Sequence, residues 1–340
     1  MNKRTNVKSV ILMIGIFIII FLSLITNSYY QNVQKQLGAT GIGDAKVYRY
    51  HYVMIVEDSE MKFWKDVFRS VKEAAEEQDA LVELMGGSMS SDLEIGDYID
   101  MSIAAKVDGI ILEYIGNRRL ERRIAEAEAA GIPVVTVLED APNTSRKSYV
   151  GINAYQLGQQ YGEQVLRLVE GRSDQTEVMV LTHNGSEDKS QSQIFDQIYN
   201  MAMTADRTGG PVHVVQENMR TIGKVDADEA IRNIFFRPEG TPDVLVCLDS
   251  VDTEAAYQAM IDYNKVGSLE LVGYYQSPQI MNAVKKGNIP VTLIIDTDEM
   301  GRYCVQALTE YLKDGRVNSF YSVDFHFVTK ENADHYMRGE

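Results

Sequence analysis

Short runs of β-branched and aliphatic residues alternate with stretches of helical period along most of this 340-residue chain, and few folds can accommodate that alternation. Strands are expected at 52–56, 81–85, 109–112 and 134–138, with helices starting at Met61, Leu93 and Asn117 between them. Right-handed crossovers then place these strands in one parallel sheet. On the helix 61–78, Lys72, Glu73 and Glu76 fall opposite Val67, Val71 and Ala74, the pattern of a solvated face over a buried one.

The pattern restarts after 148–152. A helix is expected at 155–169, then strands near 178–181, 212–215, 245–247, 269–272 and 291–295. Asp298 reads as the N-cap of a last helix, 299–312, which should rejoin the first unit. No Pro- or Ser-rich linker separates the units, only the direct strand Tyr149-Val150-Gly151-Ile152, so crossing strands and a hinge are expected. The predicted fold class is α/β: two doubly wound parallel-sheet lobes joined by crossing hinge strands, 46–152 plus 296–322 and 153–295 plus 323–335.

In front of this, Lys3, Arg4 and Lys8 precede an apolar run over 10–25 interrupted only by Gly15 and Ser23. A spanning helix needs roughly 20 apolar residues, and the run approaches that once Thr26 and the interfacial Tyr29 and Tyr30 are added. Leading cations orient the remainder outside the cytoplasm. A cleaved signal peptide is the alternative, but Thr26-Asn27-Ser28 is a poor cleavage site and no lipid-accepting Cys follows. Residues 1–45 are thus expected to be an N-terminal transmembrane helix, or a signal, with a polar tether.

The formal charge of −16 argues against nucleic acid, which requires clustered Lys and Arg. Neither a dinucleotide-type Gly-rich turn nor a phosphate loop ending in Gly-Lys-Ser or Gly-Lys-Thr is present. The five histidines, His51, His183, His213, His326 and His335, show no metal-ligand spacing and read as surface or satisfied residues. Asp296-Thr297-Asp298 opens like a calcium loop, but Met300 and Ala307 occupy positions that need oxygen ligands. Ser88, Ser90 and Ser91 follow Gly86-Gly87 without a nucleophile elbow, and Cys247 and Cys304 read as buried small hydrophobes. The expectation is no enzyme, no cofactor and no metal.

The segment Gly131-Ile132-Pro133-Val134-Val135-Thr136-Val137-Leu138-Glu139-Asp140-Ala141-Pro142, followed by Ser148-Tyr149-Val150-Gly151-Ile152-Asn153-Ala154-Tyr155-Gln156-Leu157-Gly158, resembles the ribose-binding-protein family of type 1 periplasmic binding proteins. The resemblance extends over 46–330 through Val107-Asp108-Gly109-Ile110-Ile111-Leu112, Pro242-Asp243-Val244-Leu245-Val246-Cys247 and Leu271-Val272-Gly273-Tyr274-Tyr275. Lac-repressor-type regulators share the fold but carry a DNA-binding helix-turn-helix where this chain has its apolar segment. The family implies a sugar or sugar-like ligand held between two lobes that close over it at the carboxyl ends of their strands.

On that resemblance, Phe63 and Trp64 match the family's aromatic pair, with core packing as the alternative for Trp64. Leu138 and Glu139 stand where ribose binders place Asp and Arg, Leu248 where they place Asn, Tyr275 where they place Asp, and Ile295 where they place Gln. Asp140, Asp249 and Asn153 persist nearby, the two aspartates being equally readable as helix or loop caps. Gln191 and Arg220 fall in loops that face the cleft in relatives. The implied ligand-binding set is Phe63, Trp64, Glu139, Asp140, Gln191, Arg220, Asp249 and Tyr275. Having fewer hydroxyl partners, it implies loose sugar discrimination or a less hydroxylated, more apolar ligand. The implied partner is an ABC-type importer's permease or, alternatively, a membrane sensor histidine kinase; a pseudo-receptor with a degenerate pocket is the third reading.

Overall fold

A computed structural model describes residues 46–87, 93–116, 118–183, 189–204, 209–219 and 224–337. The expected N-terminal membrane segment, Arg220 and Ser88, Ser90 and Ser91 lie outside them. Strand and helix alternate from the start: β1 (Tyr50–Asp58), α1 (Lys62–Glu77), β2 (Ala80–Gly87), α2 (Ile95–Ala105), β3 (Gly109–Glu113), α3 (Arg118–Ala129), β4 (Val134–Val137) and β5 (Ser148–Gly151). The second run is α4 (Ala154–Val169), β6 (Thr176–Thr182), α5 (Ser190–Thr204), β7 (Val212–Asn218), α6 (Lys224–Phe235), β8 (Val244–Cys247), α7 (Ser250–Asp262), β9 (Glu270–Tyr274), α8 (Pro278–Lys286) and β10 (Val291–Ile295). The chain ends with α9 (Thr297–Asp314), β11 (Phe320–Ser322), β12 (Phe325–Thr329) and the short α10 (Ala333–Tyr336).

The strands form two six-stranded sheets, β11-β5-β4-β3-β1-β2 and β12-β10-β9-β8-β6-β7. Among the described strands, only β12 runs antiparallel to its neighbour, β10. Helices cover the faces of a parallel sheet, so its central strands are apolar on both sides, and Ile110, Ile111 and Leu112 of β3 are fully buried. Helix α1 buries Phe63, Trp64, Val67, Val71 and Ala75 and leaves Lys72, Glu73 and Glu76 exposed, as its period requires. Cys247 and Cys304 are buried free thiols, both pushed up by burial.

Three segments pass between the sheets: β5 to α4, β10 to α9 and β11 to β12. They are bonded to one another, Val323 N–H to the Gly151 carbonyl at 2.9 Å and Asp296 N–H to the Asp324 carbonyl at 3.0 Å. Helix α9 returns to the first sheet and lies against α1, where Ser70 Oγ donates to the Asp298 carbonyl at 2.6 Å. Gly301 permits this approach: a Cβ there would meet Ser70 Cβ and Val71 N at 2.6 Å.

The cap of α9 differs from the sequence expectation. Asp296, not Asp298, is the N-cap and accepts from Glu299 N–H at 2.8 Å. The helix begins two residues early, leaving Asp298 in its first turn, where its carboxylate meets Arg69 at 2.6 Å. Among the described residues, no helix is long and apolar enough to cross a membrane.

Candidate functional site

In a doubly wound sheet, loops at the carboxyl ends of the strands gather around one crevice. Here the ends of β1, β3 and β4 bring Glu57, Glu113 and Glu139, while those of β6, β8 and β9 bring His183, Asp249 and Tyr274. Side chains from the two lobes touch directly. Phe63, in the first turn of α1, meets the Tyr275 ring edge-on at 4.9 Å between centroids. The Tyr275 hydroxyl donates to Asp66 Oδ2 at 2.6 Å.

Phe63 and Trp64 form a T-shaped pair at 4.7 Å and are 6 % and 1 % exposed, so both rings are packed in the core. The Trp64 side chain hydrogen-bonds Glu113, which joins this aromatic floor to the acidic strand end. Glu113 Oε2 also accepts from Glu57 N–H at 2.6 Å. Burial, with the charges of Glu57 and Asp249, pushes Glu113 up to about 8 against the two hydrogen bonds that lower it. Glu57 is raised too, by burial and then by Asp58.

Across the crevice, Asp249 caps α7, its Oδ1 accepting from Val251 N–H at 2.7 Å and Asp252 N–H at 3.1 Å. Burial and the neighbouring Asp252 charge hold Asp249 above the usual carboxylate range, against the opposing effect of His183 and the two amides. His183 Nε2 lies 2.6 Å from Asp252 Oδ2. Burial draws His183 down, but Asp252 and Asp249 outweigh it and leave the imidazole raised. Donor atoms of His183, Asp249 and Asp252 lie within 4.8 Å of one another, which is metal-like spacing; the His183–Asp252 bond already joins two of the three groups. The Tyr274 hydroxyl is raised by burial and then by the charges of Glu139 and Asp249.

The remaining sequence candidates divide. Tyr275 sits at the crevice with a left-handed backbone, φ 65°, as does Leu138 at the end of β4, φ 68°. Non-Gly residues held there are strained, and such strain concentrates at ligand clamps. Glu139 stands at the end of β4, and its charge helps to raise the Tyr274 hydroxyl. Asp140 instead binds Arg146, whose Nη2 reaches its Oδ2 at 2.8 Å and whose Nη1 reaches the Ser319 carbonyl at 3.2 Å. Gln191 accepts the His183 N–H at 2.5 Å and so supports that loop. Asn153 caps α4 through Gln156 N–H at 3.1 Å.

Glu57, Glu113, Asp252 and Tyr274 are not among the sequence candidates, and His183, read there as a surface or satisfied histidine, is satisfied by Asp252. A signal for Glu113 was present in the sequence: it is the one charged residue closing the run Gly109-Ile110-Ile111-Leu112-Glu113, at the strand end where these folds bind. The His183–Asp252 contact spans 69 residues and has no local sign.

Two α/β lobes joined by three bonded crossing segments define a two-lobed fold of the periplasmic-binding type. Residues 52–316 match the periplasmic binding protein domain family, and the chain belongs to it. Similar solved structures include GanP, a glucose-galactose binding protein from Geobacillus stearothermophilus, at 22 % identity and TM-score 0.72, covering 83 % of this chain and 98 % of that one. The XylFII–LytSN complex is similar at 22 % identity and TM-score 0.68, covering 83 % and 98 %. An ABC transporter solute binding protein from Agrobacterium vitis with bound D-fucose is similar at 17 % identity and TM-score 0.72, covering 84 % and 97 %. These identities carry the fold, which is that of sugar-binding periplasmic proteins, and the family implies an extracytoplasmic location. No curated protein matches.

Proposed function

We propose that this protein is an extracytoplasmic receptor that closes its two lobes over a sugar or sugar-like molecule and presents the closed form to an ABC-type importer. The observation that carries the reading is the meeting of both lobes over one aromatic-floored crevice, through Phe63–Tyr275 and Tyr275–Asp66. Phe63, Trp64, Glu113, Glu139, Tyr274 and Asp249 are the proposed contacts, with Arg220 retained on the family resemblance alone. GanP and the D-fucose-bound neighbour support the ligand class.

A second reading is a ligand-sensing partner of a membrane sensor histidine kinase. It is favoured by the neighbour solved as a complex with LytSN and by the apolar run over 10–25, which would confine the receptor beside a membrane protein. The test common to both is thermal unfolding of the full-length chain in detergent against pentoses, hexoses, deoxy and amino sugars and polyols. A ligand at a hundredfold excess over its Kd stabilises by about 2.7 kcal/mol. One compound should raise the midpoint, and Tyr274→Phe should diminish the rise. A panel without any shift contradicts the receptor reading.

A further inference from the structure

The crevice is notable for the sign of its charge. Glu57, Glu113 and Glu139 come from one lobe, Asp249 and Asp252 from the other; the charges of Glu57 and Asp249 act on Glu113, that of Asp252 acts on Asp249, and Glu139 and Asp249 both act on the Tyr274 hydroxyl. The described cations nearby already have carboxylate partners: His183 has Asp252, Lys62 has Asp66 and Arg146 has Asp140. Hydroxyl-rich neutral sugars need carboxylates as acceptors, but not several that disfavour one another's ionisation in a desolvated space.

A second observation, independent of the charge count, points to an incoming donor. Asp252 is fully buried, and its Oδ1 has no hydrogen-bond partner among the described residues, while Oδ2 is held by His183. A buried acceptor left unmatched is costly, so this oxygen calls for a donor that the fold itself does not supply.

Building on the receptor reading above, we propose that the ligand carries a protonated amine, as an amino sugar does, and that Glu113 and Asp249 receive the ammonium from opposite lobes. Glu113 holds a proton up to about 8 in the fold, so the incoming ammonium would take that proton's place, and it would bridge the two carboxyl groups only when the lobes are together, acting as the link that favours closure. The surroundings favour an organic cation over a bare metal ion. The half-buried Tyr274 offers a ring for an apolar face and for cation–π contact, whereas a hard metal would require six or more oxygens converging at about 2.0 to 2.6 Å.

The experiment is isothermal titration of the full-length chain, at fixed pH and salt, with D-glucosamine, D-galactosamine and D-mannosamine, their neutral parent sugars, putrescine and spermidine, and calcium and magnesium chloride. At least one amino sugar should bind about tenfold or more tighter than its neutral parent, the factor expected for a charge-assisted hydrogen bond. Glu113→Gln should erase that preference while its melting curve stays cooperative; Asp252→Asn serves as the second variant. Binding by putrescine or spermidine alone supports the amine and removes the sugar ring. Equal or tighter binding of a neutral sugar overturns the charge proposal and leaves the receptor reading standing. Binding of a metal and no amine overturns it in favour of an inorganic cation, and silence from every compound overturns both.

Discussion

Glu113 is where single-residue chemistry is most exposed to test. Its carboxyl rises from 4.5 in the unfolded chain to about 8 in the fold. Between those values the native state holds a proton that the unfolded chain has lost, so stability falls as pH rises across that window. Glu113→Gln removes this dependence. In thermal melts the variant should lose less stability than the parent between pH 5 and 8, by roughly 2 to 5 kcal/mol. Identical pH profiles would mean that Glu113 is ionised and solvated. His183 acts in the same direction: its raised value gives stability that is complete below about 6.5 and fades as pH climbs through the folded value. Trp64→Ala, at a 1 % exposed position bonded to Glu113, should cost about 3 to 5 kcal/mol in denaturant unfolding.

Elements were more legible than residues. The runs around 109–112 and 134–138 announced their strands because a two-sided burial leaves no polar alternation to confuse the reading. The α9 cap was misplaced by two residues because Asp296 and Asp298 are chemically equivalent and only the entry of the chain from β10 selects between them. Asp140 drew attention as a site residue because an acid shortly after a strand looks the same in sequence whether it meets a ligand or an arginine such as Arg146. Glycine at 301 reads as an ordinary helix defect until α1 is seen 2.6 Å from where its Cβ would stand. Gly301→Ala should therefore destabilise by about 1 to 3 kcal/mol in chemical denaturation, despite alanine's better helix propensity. A neutral or stabilising result would show that α9 and α1 yield easily.

At the scale of the whole molecule, closure is the property that joins fold to function. Three crossing segments bonded side by side permit rotation of one lobe on the other while resisting separation. The Tyr275–Asp66 bond ties the lobes together, and Tyr275→Phe should shift the population toward open forms by about 1.5 to 3 kcal/mol, as expected when a hydrogen bond to a charged group is lost. The two lobes were legible because the strand–helix pattern repeats; the acidity of their shared crevice was not, since Glu57, Glu113, Glu139 and Asp249 are scattered over 193 residues and meet only through topology.

The central claim is that a small polar ligand closes the lobes, and its most direct test is an interlobe distance. Cys247 and Cys304 are buried, so a cysteine pair at exposed Met101 and Ile261, one on each lobe, can be labelled selectively with donor and acceptor fluorophores. Titration of the labelled full-length Met101→Cys/Ile261→Cys chain with D-glucosamine and with D-glucose should shorten the distance saturably for at least one of them, and Tyr275→Phe should lengthen the starting distance. A distance unmoved by either sugar, and unmoved by the remaining compounds of the melting panel, would contradict the account.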